Sequence, residues 1–512
     1  MGYFWLFSAE TWALLMLLIS LLVLYGYWPY SFFKKLGIPG PKPLPLFGNM
    51  FENSKGFHAF DMECFEKYGR IWGIYDVREP LLCVTDRTII KSVVVKECFS
   101  LFTNRRSFGL FGELYDTLFL TKDEDWKRIR SALTPFFTRA RLKETFGIMK
   151  THSETLIRNL ERAVKQKSGI DVKDFVGAYT MDVITGSAFS IDIDSLHNPN
   201  DPVVSNVKKM VELESFRPVF LIAALFPFTI PLMEKMSITM FPTSALDFFF
   251  AFTRKIKADR VAKDHKRRVD FLQVMVDSQT PEKIEAKQDL NDHEVLCQAV
   301  SLIFGGYETS SNTLTFFFYN MATNPETMKK LQEEIDQTFP DKAPLQYDAV
   351  INMEYLDAAL NESMRLYPVM PRIDRVAKKT VEINGLIIPK GTDVMIPIYP
   401  LHRDPEYWPD PDTFNPERFT KENKGSMDPY VFMPFGGGPR GCVGMRFALV
   451  FVKLAIVEVL RRFDVNMCED TKVPLEMGVG NFLVPKDPVI LKFAPRANSR
   501  SDDVGNNCSK SQ

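Results

Sequence analysis

The chain of 512 residues sets 63 Lys and Arg against 64 Asp and Glu, a formal net charge of -1, which excludes the concentrated basic face that nucleic acid requires. Hydrophobic residues make up 46% and charged residues 25%, enough for a sizeable core, yet 43 phenylalanines suit an apolar ligand pocket or a membrane-facing surface as well as core filling. Seven widely spaced cysteines without a CxxC pair argue against a disulfide framework and protein-bound zinc, and for a reducing compartment.

Residues 11–28, TWALLMLLISLLVLYGYW, are almost wholly apolar and at about 1.5 Å per residue cross most of a bilayer core of about 30 Å. Trp5, Trp12, Tyr25, Tyr27 and Trp28 stand where interfacial aromatic belts form, and Lys34 and Lys35 follow while no basic residue precedes, which puts the remainder on the cytosolic side. In residues 37–49, Pro39, Pro41, Pro43 and Pro45 predict a stiff extended spacer. Residues 80–95 are rich in β-branched side chains and read as short strands. Thr121 and Glu124 form a capping-box pattern before a first helix.

Residues 218–232, PVFLIAALFPFTIPL, are apolar and too short to span; a dip into the membrane surface and core packing explain them equally well. The basic run over 254–268 reads as a solvated helix face, and the polar C-terminus as disordered. The longest helix is predicted to begin near Asn291, capped by Glu294, with Gly305 and Gly306 in its middle. Each glycine costs about 0.8–1 kcal/mol against alanine there, so either a flat ligand approaches the backbone or another helix packs at small residues. Overall the pattern is mainly α with a minor β region.

In FMPFGGGPRGCVGMRFALVF, the formal GxGxxG at Gly436, Gly438 and Gly441 lacks the β-branched strand that leads into a dinucleotide site, Pro439 interrupts its turn, and Cys442 follows directly where the helix should begin. The helix from about Val443 instead places Cys442 at its N-terminus, where free amides and the dipole stabilise a thiolate. Such a sulfur, with Phe435 to exclude water and Arg440 to meet an anion, suits a metal held in an acidic macrocycle, although a lone cysteine is ordinarily an inert buried thiol.

Phe435, Gly438, Arg440, Cys442 and Gly444 match the haem-binding signature FxxGxRxCxG, and the chain thereby resembles the cytochrome P-450 family. Glu362 and Arg365 resemble the family's ExxR, with Arg418 the third member of that ion network, and Trp126 and Arg130 its WxxxR. The resemblance implies haem b (iron protoporphyrin IX) ligated through iron by Cys442, with propionates met by Trp126, Arg130, Arg375, Arg440 and Arg105. GGYETS resembles the oxygen-activation motif, so Thr309 and Glu308 are the proton-handling pair, a relay intelligible as a hydroxyl beside a carboxylate in a dry pocket; the alternative is a Thr309 hydroxyl that only back-bonds to a carbonyl.

Within the family the chain is similar to the family-three, subfamily-A group of vertebrate drug- and steroid-oxidising enzymes. By that comparison Phe108, Phe304, Val369, Met370 and Arg372 line the substrate pocket. Two positions depart from the group: Phe119 stands where a small polar side chain is expected, and Ser215 where a phenylalanine is expected, with Phe216 adjacent.

The resemblance implies a monooxygenase acting on bulky lipophilic molecules such as steroids, drugs and other xenobiotics. No NADPH or flavin site is visible in the chain, so electrons come from a separate flavin-containing NADPH reductase docking near Lys127 and Arg446, with cytochrome b5 as a further partner. A peroxide-rearranging relative is disfavoured by the Glu308 and Thr309 pair, and a carrier by the idle anchor it would carry. The expected layout is an endoplasmic reticulum membrane anchor over 1–28, a hinge over 29–50, a haem-binding catalytic domain over 51–498 and a tail over 499–512.

Overall fold

A computed structural model describes residues 8–195, 198, 200–211, 218–262, 270–279 and 289–496. Ser8, whose hydroxyl accepts the Thr11 amide, caps a helix over Ala9–Tyr27. Its side chains from Leu14 to Leu24 stand largely exposed, so an apolar face of membrane-spanning length is left uncovered by the protein. Trp5 and the C-terminal tail lie outside the described residues.

The proline-rich segment after this helix is not a free spacer. Pro39 O accepts the Gly73 amide at 2.8 Å, and Gly48 pairs with Asp76. A side chain at Gly40 would stand 2.0 Å from Gly73 O, so glycine there lets the segment lie flush on the sheet edge.

That sheet is small and mixed. Strands β1 (Ile71–Asp76), β2 (Glu79–Val84), β3 (Arg372–Val376) and β4 (Asp393–Pro397) lie in the order β1-β2-β4-β3, with β2 parallel to β4 and β3 antiparallel to it. Beyond Val84 the expected strand gives way to helix over Arg87–Lys91, continuing to Lys96. The Asp86 carboxylate accepts the Thr88 and Ile89 amides at 2.9 and 3.0 Å, and Ile89, Ile90, Val93 and Val94 bury one helical face. An N-cap and a helical apolar period outweigh β-propensity here.

The capping box expected at Thr121 does not form. The helix Asp123–Leu133 begins at Lys122 without a side-chain cap. Asn104 grips its start instead, exchanging 2.9 Å hydrogen bonds with the Asp123 amide and carboxylate. The capping box at Asn291 and Glu294 is present and opens the central helix, Asp292–Thr323. That helix packs against helices over Val172–Phe189 and Met445–Leu460, and the apolar faces of all three contribute to the main core.

The basic run is not wholly solvated. Arg260 makes a buried pair with Asp270 at 2.7 Å and donates to Phe189 O at 2.7 Å, while residues 263–268 lie outside the described residues. The apolar stretch at 218–232 divides in two: Ala223 packs beneath it with Met233 and Leu110, while Ile222, Phe228 and Leu232 stay exposed. It joins the N-terminal helix where Tyr25 Oη donates to Leu225 O at 2.9 Å and stacks on Phe226.

Candidate active site

The cysteine loop is shaped by glycine. Gly436 and Gly438 hold φ of 72° and 65°, and a Cβ at Gly438 would meet Val94 O at 1.8 Å, so the loop closes only with hydrogen at that position. The Cys442 amide donates to Phe435 O at 2.9 Å, and the helix Met445–Leu460 starts just beyond. Burial pushes the Cys442 thiol up, against the Gly444 and Met445 amides and the Arg130 and Arg105 cations, which favour the thiolate. The Cys442 side chain is nevertheless exposed.

Four arginines converge beside it. Arg105 Nη2 donates to Arg440 O at 3.1 Å and Arg130 Nη1 to Gly441 O at 2.8 Å. Arg375 Nη1 donates to Asp374 O at 2.6 Å. Arg440 donates to Thr103 O, Leu118 O and Thr121 O, and its guanidinium lies 4.2 Å above the Trp126 ring. Every side-chain hydrogen bond of these four among the described residues thus ends on a neutral carbonyl. Burial lowers all four, and neighbouring guanidinium charge adds to it at Arg130, Arg375 and Arg440, bringing Arg375 to about 10 and Arg440 to about 9. Nε of Arg105 and of Arg375 is buried without a partner. Buried, crowded cations with spare donors call for an anion.

On the central helix the half-buried residues Leu302, Gly305, Thr309 and Thr313 fall on one face. The two readings of the paired glycines separate here: a Cβ at Gly305 would enter open space, whereas one at Gly306 would press on Ile184 Cδ1 at 2.7 Å. Thr309 Oγ1 donates to Gly305 O at 2.6 Å. Glu308 is buried and accepts from Lys173 Nζ at 2.7 Å and Asn312 Nδ2 at 2.8 Å, so in this state it does not meet the Thr309 hydroxyl. A free sulfur, spare guanidinium donors and a helix face open at glycine fit a flat, metal-bearing group with acidic arms.

Glu362 and Arg365 pair at 2.7 and 2.8 Å with no exposure, and Arg418 Nε approaches Glu362 to 3.4 Å. Of the expected pocket residues, Phe304 meets Phe241 and Phe482, and Val369 O accepts the amide of Leu483, the residue after Phe482, at 2.8 Å. Met370 is half-buried. Phe108 stands half exposed beneath Arg106 at 4.2 Å. Arg372 is otherwise engaged: Asp61, itself fully buried, holds it at 2.6 and 2.7 Å, and it lies over Phe57. Ser215 and Phe216 lie outside the described residues.

Sequence reasoning missed Lys173, Asp61 and Phe482. Lys173 follows the helix cap at Asp171 and gave no sign of its distant partner.

The cytochrome P450 family model matches residues 38–493. The chain belongs to the cytochrome P450 family. It is 58% identical to cytochrome P450 3A27 of Oncorhynchus mykiss over 500 residues, covering 97% of this chain and 96% of that protein. Its identity to cytochrome P450 3A25 of Mus musculus is 50% over 494 residues, covering 96% of this chain and 98% of that one. As a member of this family it is a haem-thiolate monooxygenase of lipophilic substrates with a haem-iron cofactor and a reductase as redox partner. The N-terminal apolar helix agrees with a membrane-anchored microsomal enzyme.

Proposed function

We propose that this P450 inserts one oxygen atom of O2 into bulky steroids, drugs and other xenobiotics, drawing electrons from NADPH through a flavin-containing reductase in the endoplasmic reticulum membrane. The observation that carries this reading is the exposed Cys442 side chain, faced by the Gly444 and Met445 amides and the Arg105 and Arg130 guanidinium groups. In it Cys442 ligates the iron of haem b, and Arg105, Trp126, Arg130, Arg375 and Arg440 hold the propionates. Thiolate-ligated haem supplies dioxygen activation and O–O bond cleavage. The chain's own contribution is binding and proton management.

Phe304, Val369 and Met370, with Phe482, wall the substrate space with apolar surface that excludes water and orients a lipophile by shape. Thr309 presents a hydroxyl on the open face of the central helix, and Glu308 is the buried acid one residue away. Their present partners, Gly305 O and Lys173, are the contacts that must loosen for a proton to pass between them. Glu362, Arg365 and Arg418 hold the scaffold beneath the cysteine loop.

Lys127 and the exposed Arg446 offer cations to an acidic reductase, and cytochrome b5 is a second candidate for the same charges. The exposed Ile222, Phe228 and Leu232, continuous with the anchor helix through Tyr25, support a membrane contact for 218–232. Reconstitution with reductase and NADPH in lipid vesicles, against a steroid and drug panel read by mass spectrometry, tests the reading. Oxygenated products are expected with reductase and none without it; NADPH-independent turnover, or no product across the panel, would refute it.

A further inference from the structure

Phe119 occupies a position where a small polar side chain is expected, and the Arg105 guanidinium lies 4.3 Å from its ring centroid. The chain on either side of this ring is clasped from one place. Arg440 donates to Leu118 O at 3.1 Å and to Thr121 O at 2.6 Å, while the Leu118 amide donates to the buried Gln298 at 2.8 Å. Phe119 is therefore presented by a pinned backbone, yet its side chain stays 46% exposed; core packing does not account for it. Arg105 needs such a support. Among the described residues its one side-chain hydrogen bond goes to Arg440 O at 3.1 Å and its Nε has none, and it faces the repulsion of Arg375 and Arg440.

We propose that Phe119 is a positioning residue for haem retention: its π face braces the Arg105 cation so that the unpartnered guanidinium donors stay aimed at the carboxylate arms of the haem. An aromatic ring serves this role because it stabilises a cation without consuming any of its N–H donors, which a small polar acceptor would do. The proposal rests on the reading of Arg105 as a haem-facing cation.

Transfer of haem from the full-length, haem-loaded enzyme to excess apomyoglobin tests it. Phe119→Leu, which keeps apolar bulk and removes the π face, is expected to speed haem loss about three- to tenfold. Phe119→Tyr and Phe119→Trp are expected to lose haem at the parent rate, and Phe119→Leu to add nothing in an Arg105→Leu background. Unchanged haem loss in F119L, or the same acceleration with and without Arg105, would overturn the proposal. Unchanged loss in R105L alone would instead overturn the underlying assignment of Arg105. Should F119L fail to load haem, faster loss from F119W than from the parent enzyme would overturn the proposal.

Discussion

Lys173 Nζ lies 2.7 Å from Glu308 Oε1, joining the start of one core helix to the acid of the central helix. The acid is buried while the lysine side chain is 35% exposed, so the pair ties a dry carboxylate to a solvent-reachable cation. Lys173→Met would leave Glu308 with Asn312 as its remaining side-chain donor, an unfavourable state for a buried carboxylate. Lys173→Met is expected to reduce oxygenated product per NADPH consumed. Glu308→Gln and Thr309→Ala are expected to reduce it further, by about tenfold or more. Product yield against NADPH consumption checks all three.

The buried network beneath the cysteine loop makes a separate demand. Removing one partner of a fully desolvated pair strands the other, at a cost of about 3–5 kcal/mol. Glu362 and Arg365 are both wholly unexposed, so Arg365→Leu and Glu362→Leu are expected to yield little haem-loaded protein. The same cost is expected for Arg372→Leu, because Asp61 would lose its buried partner. Thermal denaturation and haem content measure this; a change in KM alone for R372L would favour the substrate-contact role instead.

His402 links that network to the cysteine loop. Its Nε2 accepts the Met433 amide at 3.0 Å and its Nδ1 lies 3.2 Å from Arg365 O, which fixes a neutral ring. Burial first, then the Arg365 charge, lowers its pKa from 6.5 to about 3. With a depressed folded pKa the unfolded chain binds more protons between these values, so this stability is complete above pH 6.5 and declines as pH falls towards 3. The loss is about 2 kcal/mol between pH 6.5 and 5. Urea denaturation across that range is expected to show a slope that shrinks in His402→Gln.

The two central glycines are expected to part company. Gly305→Ala enters open space, so it should keep or raise fold stability by up to about 1 kcal/mol while weakening binding of carbon monoxide or an azole. Gly306→Ala meets the flexible end of Ile184 and is expected to lower the melting temperature with less effect on those ligands. Melting curves and optical titrations separate the two.

Much of this was legible in the sequence because it is local. The Asn291 and Glu294 capping box, the apolar anchor and the Glu362 and Arg365 spacing each concern residues within a few positions of one another. What was missed is long-range. Asn104 took over the capping expected of Thr121, and Asp61 claimed Arg372 across 311 positions. Lys173 reached Glu308 across 135. Ile89 to Val94 were misread for another reason: β-branched content says strand, but the Asp86 cap decides for helix.

Carbon monoxide binding to the dithionite-reduced, full-length protein tests the central claim most directly. If Cys442 ligates the iron as a thiolate, the Soret band moves strongly to the red, and Cys442→His loses that band while still binding haem. A parent spectrum without the red shift, or one that survives in C442H, would contradict the account.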